Sequence, residues 1–254
     1  LSILIPSLVY GQKDSLENTL EELDKAIARE GVFHQQRKSR IEELRKRLQH
    51  SADPNEQYNL YGALLNAYLH YQTDSALFYV NKKSALLPRL NKPELKYEIL
   101  LNRAEVFGLM GMYSEAFDEL KSLDVSSLDG DYLLYYYRNF RVLYGWLADY
   151  TADKSVRQKY IDQTEVYRDS ILQLSLNGID RNIIQAEKML LNKEPDGAIA
   201  LLNSLLESQD DLQWQAYLYY TLSEAYEVKR QVDKQIYCLA KSALCDIKLA
   251  NREY

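Results

Sequence analysis

The sequence predicts an all-α fold, a right-handed solenoid of about six antiparallel helix hairpins, on three observations. Apolar residues return at helical spacing through almost the whole chain. Nine glycines and five prolines among 254 residues fall mainly between those runs, as helix ends require. No stretch alternates apolar with polar residues as a half-buried strand would. A content of 46% hydrophobic and 27% charged residues suits a globular chain with a sizeable core, in one domain or two.

The first helix is read over DSLENTLEELDKAIAREG, where Leu16, Leu20, Leu23 and Ile27 recur at helical spacing and Gly31 suits a C-terminal cap. HQQRKSRIEELRKRLQH follows, with Ile41, Leu44 and Leu48 as its apolar stripe. Arg37, Lys38, Arg40, Arg45, Lys46 and Arg47 form its solvated face. Asp53, Pro54 and Glu56 take the cap, first-turn and capping-box positions of the third helix, which ends at HYQ. Asp74 and Ser75 open its partner, DSALFYVNKKSALL. Pro93 starts PELKYEILLNRAEVFGLM, whose partner is GMYSEAFDELKSL.

Two longer helices come next, DYLLYYYRNFRVLYGWLADY and DKSVRQKYIDQTEVYRDSILQL. Asn177 and Gly178 break the chain before IDRNIIQAEKMLLN, and Pro195 begins PDGAIALLNSLLES. The final pair is DLQWQAYLYYTLSEAYEVKR with VDKQIYCLAKSALCDIKLANREY. The last of these carries no evident stop and is expected to stay helical to Tyr254, with its apolar side needing cover from residues beyond it.

The hairpins share a register. Tyr68 with Ala76, Phe107 with Ala116, Met189 with Ala198 and Tyr226 with Gln235 stand eight, nine, nine and nine residues apart. The position three before each large residue is Leu65, Ala104, Ala186 and Ser223, so the small residue is missing once, at Leu65, and Gln235 departs from the pattern as well. Gly111 relaxes a turn, Tyr113 packs over it, and Ala116 lets two backbones approach. This pattern resembles divergent tetratricopeptide repeats, in which small residues mark the crossing of each hairpin. The enlarged pair between Asp131 and Leu174 shows no small position of its own.

Two stretches carry a closer resemblance, LEELDKAIAREGVFHQQRKSRIEELRKRL and YYTLSEAYEVKRQVDKQIYCLAKSALCDIKLANRE. They look like the extracytoplasmic half of a family of bacterial membrane regulators. Members join a tetratricopeptide-like sensor to a transmembrane helix and a cytoplasmic LuxR-like helix-turn-helix. The resemblance implies a sensor in residues 12–254, continuing into a membrane helix and a DNA-binding part. LSILIPSLVYGQ, with Val9 and Gly11 placed for cleavage, reads as the remnant of a secretory signal over residues 1–11. The implied location is periplasmic. If residues 1–11 instead pack on the fold, the alternative is a cytoplasmic scaffold.

A net charge of −6 argues against this segment gripping a phosphate backbone. His34, His50 and His70 have no partner at a metal-ligand spacing, and no phosphate loop or nucleophile elbow is present. Glu21–Glu22, Glu42–Glu43 and Asp210–Asp211 sit in polar contexts that would not raise a carboxyl pKa. Cys238 and Cys245 share one helix too far apart for a disulfide and read as buried apolar residues. No catalytic residue, cofactor or metal is expected.

Twenty-two tyrosines stand out against five phenylalanines. Tyr135, Tyr136 and Tyr137 sweep roughly 200° of one helix, more than a core stripe takes. With Trp214, Tyr219 and Tyr220 they are the candidate groove aromatics, since both sets lie on first helices, which line the concave side of such arrays. The expected function is a non-enzymatic sensor that binds a protein, peptide or glycan, with a homodimer compatible with it. The alternative is a glycan- or peptide-capture protein of the cell envelope, or a general interaction scaffold.

Overall fold

The computed structural model describes residues 7–174 and 178–251. Its elements are α1 (Ser7–Ala28), α2 (Glu30–His50), α3 (Pro54–Tyr68), α4 (Thr73–Ala85), α5 (Leu87–Leu90), α6 (Leu95–Leu109) and α7 (Tyr113–Lys121). After a 3-10 turn at Val125–Ser127 come α8 (Gly130–Tyr150), α9 (Lys154–Gln173), α10 (Ile179–Leu191), α11 (Pro195–Glu207), α12 (Leu212–Val228) and α13 (Val232–Leu249). Among the described residues no strand occurs, as the periodicity predicts. Of the segment read as a signal remnant, Leu1–Pro6 lies outside the described residues and Ser7–Gly11 opens α1. Asn177 also lies outside them, while Gly178 stands in extended backbone just before α10.

The helices form two compact units. One takes α1, the start of α2 and α10–α13; the other takes the rest of α2 and α3–α9. In the second unit the hairpins are α3–α4, α6–α7 and α8–α9, with α6 packed on α4 and α8 on α6. In the first unit they are α10–α11 and α12–α13, with α11 packed on α12.

The register read from the sequence marks where these helices cross. Ala76, Ala104, Ala116, Ala186 and Ala198 have no exposed surface, and Leu65 and Ser223 are buried. A methyl group or a short side chain there lets two backbones approach, and the large neighbours fill the flanks. Of the two departures from the pattern, Leu65 is large yet buried, and Gln235 is only half-buried. In α9 the short buried side chain is Thr164, whose hydroxyl bonds back to the Tyr160 carbonyl at 3.0 Å. Being neither Gly nor Ala, it gives no small-residue signal.

The turns explain why one separation is eight and the others nine. Met112 N donates to Phe107 O at 2.9 Å, Glu194 N to Met189 O at 2.8 Å, and Gln231 N to Tyr226 O at 2.9 Å. Each bond closes a Schellman cap around one left-handed residue: Gly111 (φ 75°), Lys193 (φ 61°) and Arg230 (φ 54°). The α3–α4 turn closes with Gln72 N on Tyr68 O and has no left-handed residue, so it is one residue shorter.

Four expectations are corrected. Gly31 does not cap α1; it sits in the first turn of α2, which follows α1 after Arg29 alone. The buried side of α1 carries Thr19 and Ala26, with Leu16 and Leu23 partly buried, while Leu20 and Ile27 are exposed. Those short side chains allow α1 to lie close along α13. The last helix is not helical to Tyr254. It stops at Leu249 in a further Schellman cap with Ala250 left-handed (φ 53°) and Asn251 N on Asp246 O. Arg37 reinforces that stop, donating to Leu249 O at 2.6 Å and to Asn251 Oδ1 at 2.9 Å. Finally, α5 is an addition to the expected elements, because a four-residue helix shows no periodicity.

A non-glycine residue in left-handed backbone costs about 1 kcal/mol or more. Lys193→Gly and Arg230→Gly, both exposed, should each raise stability by about 0.5–1 kcal/mol in urea unfolding, and Gly111→Ala should lower it by about 1 kcal/mol. The three changes should be additive within error, because they act in separate turns.

Candidate functional site

In the second unit the first helices of successive hairpins are joined by a buried polar network. Lys83, near the end of α4, is 3% exposed. Its ammonium pairs with the Glu98 carboxylate of α6, donates to Asn102 Oδ1 at 3.1 Å, and lies 4.6 Å from the centre of the Tyr58 ring of α3. The other Glu98 oxygen accepts from the Tyr58 hydroxyl at 2.7 Å. A buried cation is tolerable only when neutralised and hydrogen-bonded like this, and removing one partner of such a pair typically costs about 3–5 kcal/mol.

The network continues into α8. Asn102 Nδ2 donates to the Tyr135 hydroxyl at 3.1 Å, and Tyr135 in turn donates to the Glu105 carboxylate. Arg138, 3.8 Å from Glu105, also covers the Tyr135 ring at 5.0 Å. Burial, then hydrogen bonding to Glu98, pushes the Tyr58 hydroxyl far above the usual phenol range. Burial and the Glu105 charge do the same to Tyr135.

Beside the network opens a cleft of about 490 Å³. Asn55, Asn59, Gly62 and Asn66 of α3 form one wall, with Lys83 and Glu98 behind, and Leu90, Lys92 and Leu95 close another side. Leu90 ends α5, and left-handed Asn91 (φ 50°) turns the chain so that Lys92 reaches Asn55 Oδ1 at 3.3 Å. The additional helix therefore builds part of the cleft.

A family model described as the SusR N-terminal TPR domain matches residues 27–254. The chain belongs to that family. No curated protein and no solved structure matches it. Domains of this tetratricopeptide type are in general binding modules that present their helices to a partner.

Within this SusR-type TPR domain the candidate aromatics have mixed placements. Tyr135 turns its hydroxyl into the network, and Tyr136 is core, edge-on to Phe140 at 4.9 Å. Tyr137 lies against Tyr167 of α9 at 6.1 Å. Three consecutive tyrosines can all be packed because α8 is held between α6 on one side and α9 on another. Tyr135 and Tyr137 nevertheless keep partly exposed surface, while Tyr136 is buried. Trp214 and Tyr219 of α12 are partly buried on the other unit's core, and burial pushes the Tyr219 hydroxyl up to about 12. Tyr220, 49% exposed, is the most open of the six.

A second interval in the sequence gains its meaning from these bonds. Ala104–Glu105 is followed thirty residues later by Tyr135, and Ala186–Glu187 by Tyr217 at the same interval. In both places the tyrosine hydroxyl donates to the glutamate, at 2.7 Å for Tyr217 with Glu187. The residue after Ala104 and the residue after Ala186 thus each tie one hairpin to the next. Cys238 and Cys245 are buried free thiols as expected, and burial pushes Cys238 up to about 12. Among the described residues no group of His, Cys, Asp or Glu is placed to hold a metal ion.

These tyrosines set an alkaline limit on stability. Their pKa values are raised in the folded state, so the stabilisation is complete below the unfolded phenol value of about 10 and is lost as pH rises through the folded values, about 12 for Tyr167 and Tyr219. The urea midpoint should be level up to roughly pH 9 and fall above about pH 10. Over the same range, part of the tyrosinate absorbance should appear only as helical circular dichroism disappears.

Proposed function

We propose that this chain is the ligand- or protein-binding sensor of a membrane-anchored transcriptional regulator, signalling from the periplasm to the cytoplasm. The observation that carries the reading is the match of residues 27–254 to a family described as an N-terminal TPR domain, a front module of larger proteins. Geometry supports the binding half. The polar network fixes α3, α6 and α8 relative to one another and leaves a cleft beside them. A ligand that fits one arrangement of these helices better than another would shift the population between them, by no more than its differential affinity. The apolar start, read as a signal remnant, supports export.

A second reading, capture of a glycan or peptide at the cell envelope, is favoured by half-exposed Tyr220 on a first helix. The regulator reading requires a membrane helix beyond Tyr254, and the capture reading does not. Alkaline phosphatase joined after Tyr254 of the full gene product should be active in the bacterium, and green fluorescent protein there should stay dark. A glowing fusion with inactive phosphatase would place the chain in the cytoplasm and end the periplasmic reading.

A further inference from the structure

The helical segment α1–α2 is divided by charge. Residues 15–28 hold four carboxylates and one lysine, a net −3, and residues 35–50 hold six Lys or Arg and two glutamates, a net +4. The segment does not double back at the turn between α1 and α2. Glu22 pairs with Lys241 at 3.3 Å and Arg37 donates to Leu249 O, so the segment follows α13 in one direction.

One side of this segment has no partner inside the chain. Among the described residues, Glu17, Asp24, Lys38 and Lys46 are exposed and make no ion pair. Leu20 and Ile27, next to the buried Thr19 and Ala26, are 38% and 52% exposed. Gly31, between the two halves, has nothing within 4 Å of where a Cβ would stand. Glu17, Leu20, Asp24, Ile27, Gly31, Lys38 and Lys46 follow one another at steps of three, four, seven or eight residues, which the helical repeat places on one side.

The charge pattern is complementary to itself when reversed. In two copies laid antiparallel and centred on Gly31, Asp24 (seven residues before the centre) faces the partner's Lys38 (seven after it), and Glu17 (fourteen before) falls beside the partner's Lys46 (fifteen after). A twofold axis makes each pairing twice and closes the assembly at a dimer. Leu20 and Ile27 come under cover, and the missing side chain at Gly31 lets the two helices approach at the axis. A parallel arrangement would set acid on acid and base on base. An unrelated acidic or basic partner would answer only one half of the segment.

We propose that the chain forms a homodimer through this antiparallel α1–α2 contact, with Gly31 at its axis. The proposal is independent of the sensor reading and of any ligand.

The test is sedimentation equilibrium of the chain in low and high salt. A dimer should form in low salt and weaken about tenfold in high salt. Glu17→Lys with Asp24→Lys should weaken it about a hundredfold, and so should Lys38→Glu with Lys46→Glu, because like charges then meet at four places. All four positions are exposed, so circular dichroism should be unchanged in both double variants. An equimolar mixture of the two should dimerise again, since each supplies the charge that the other now requires. Gly31→Leu, at a position without neighbours in the chain, should leave a folded monomer. A chain that stays monomeric to ~100 μM in low salt would overturn the proposal. A dimer that both double variants or Gly31→Leu leave intact would place the contact on another face and overturn it too. Double variants that are monomeric alone and remain so when mixed would overturn the antiparallel pairing.

Discussion

Close approach of helices at a few short side chains is the constraint on which this structure depends. Five alanines with no exposed surface sit where helices cross, and each large neighbour, such as Phe107 or Tyr226, packs beside a crossing. A longer side chain at such a point would push two backbones apart and open the flanks. The same constraint fixes the turns, since a helix that must return close to its partner needs a tight stop. The Schellman caps at Gly111, Lys193 and Arg230 supply one, even where a lysine or arginine must adopt left-handed backbone.

Once the helices are that close, their facing sides cannot all be apolar and still leave a surface that reads a ligand. The second unit solves this by burying a cation with full compensation. Lys83 is held by Glu98, Asn102 and the Tyr58 ring, and Tyr135 extends the chain of bonds to Glu105. Such a network is stiff, because each member satisfies another and any loss strands a buried charge. Stiffness in the walls is what a cleft needs to discriminate between ligands, since a preorganised site loses little conformational entropy on binding.

Much of the fold is legible in the sequence because hairpin crossings obey a spacing rule. Phe107 with Ala116 and Met189 with Ala198 declare it, and even the one-residue shortfall at Tyr68 with Ala76 is visible without its cause, a turn lacking a left-handed residue. The features that escape are decided by packing partners. Thr19 and Ala26, not Leu20 and Ile27, face α13, because closeness outweighs apolar size on that side. The stop at Leu249, a local cap, is reinforced by Arg37, which lies far away in sequence and which no local pattern reveals. For the candidate site, the tyrosine count draws attention to α8 but says nothing of hydroxyl partners. Tyr135 matters through its hydroxyl in a network, and Lys83, Glu98 and Gly62 give no sign of lining a cleft, since a lysine in a helix is nearly always solvated.

The central claim is that short side chains at the crossings hold these hairpins together, and enlarging them tests it most directly. Urea unfolding of Ala116→Leu and Ala198→Leu should show each variant losing about 2–3 kcal/mol through overpacking, while Gln235→Leu, at the half-buried departure from the pattern, should change stability by less than about 1 kcal/mol. Equal and small effects at all three positions would contradict the account.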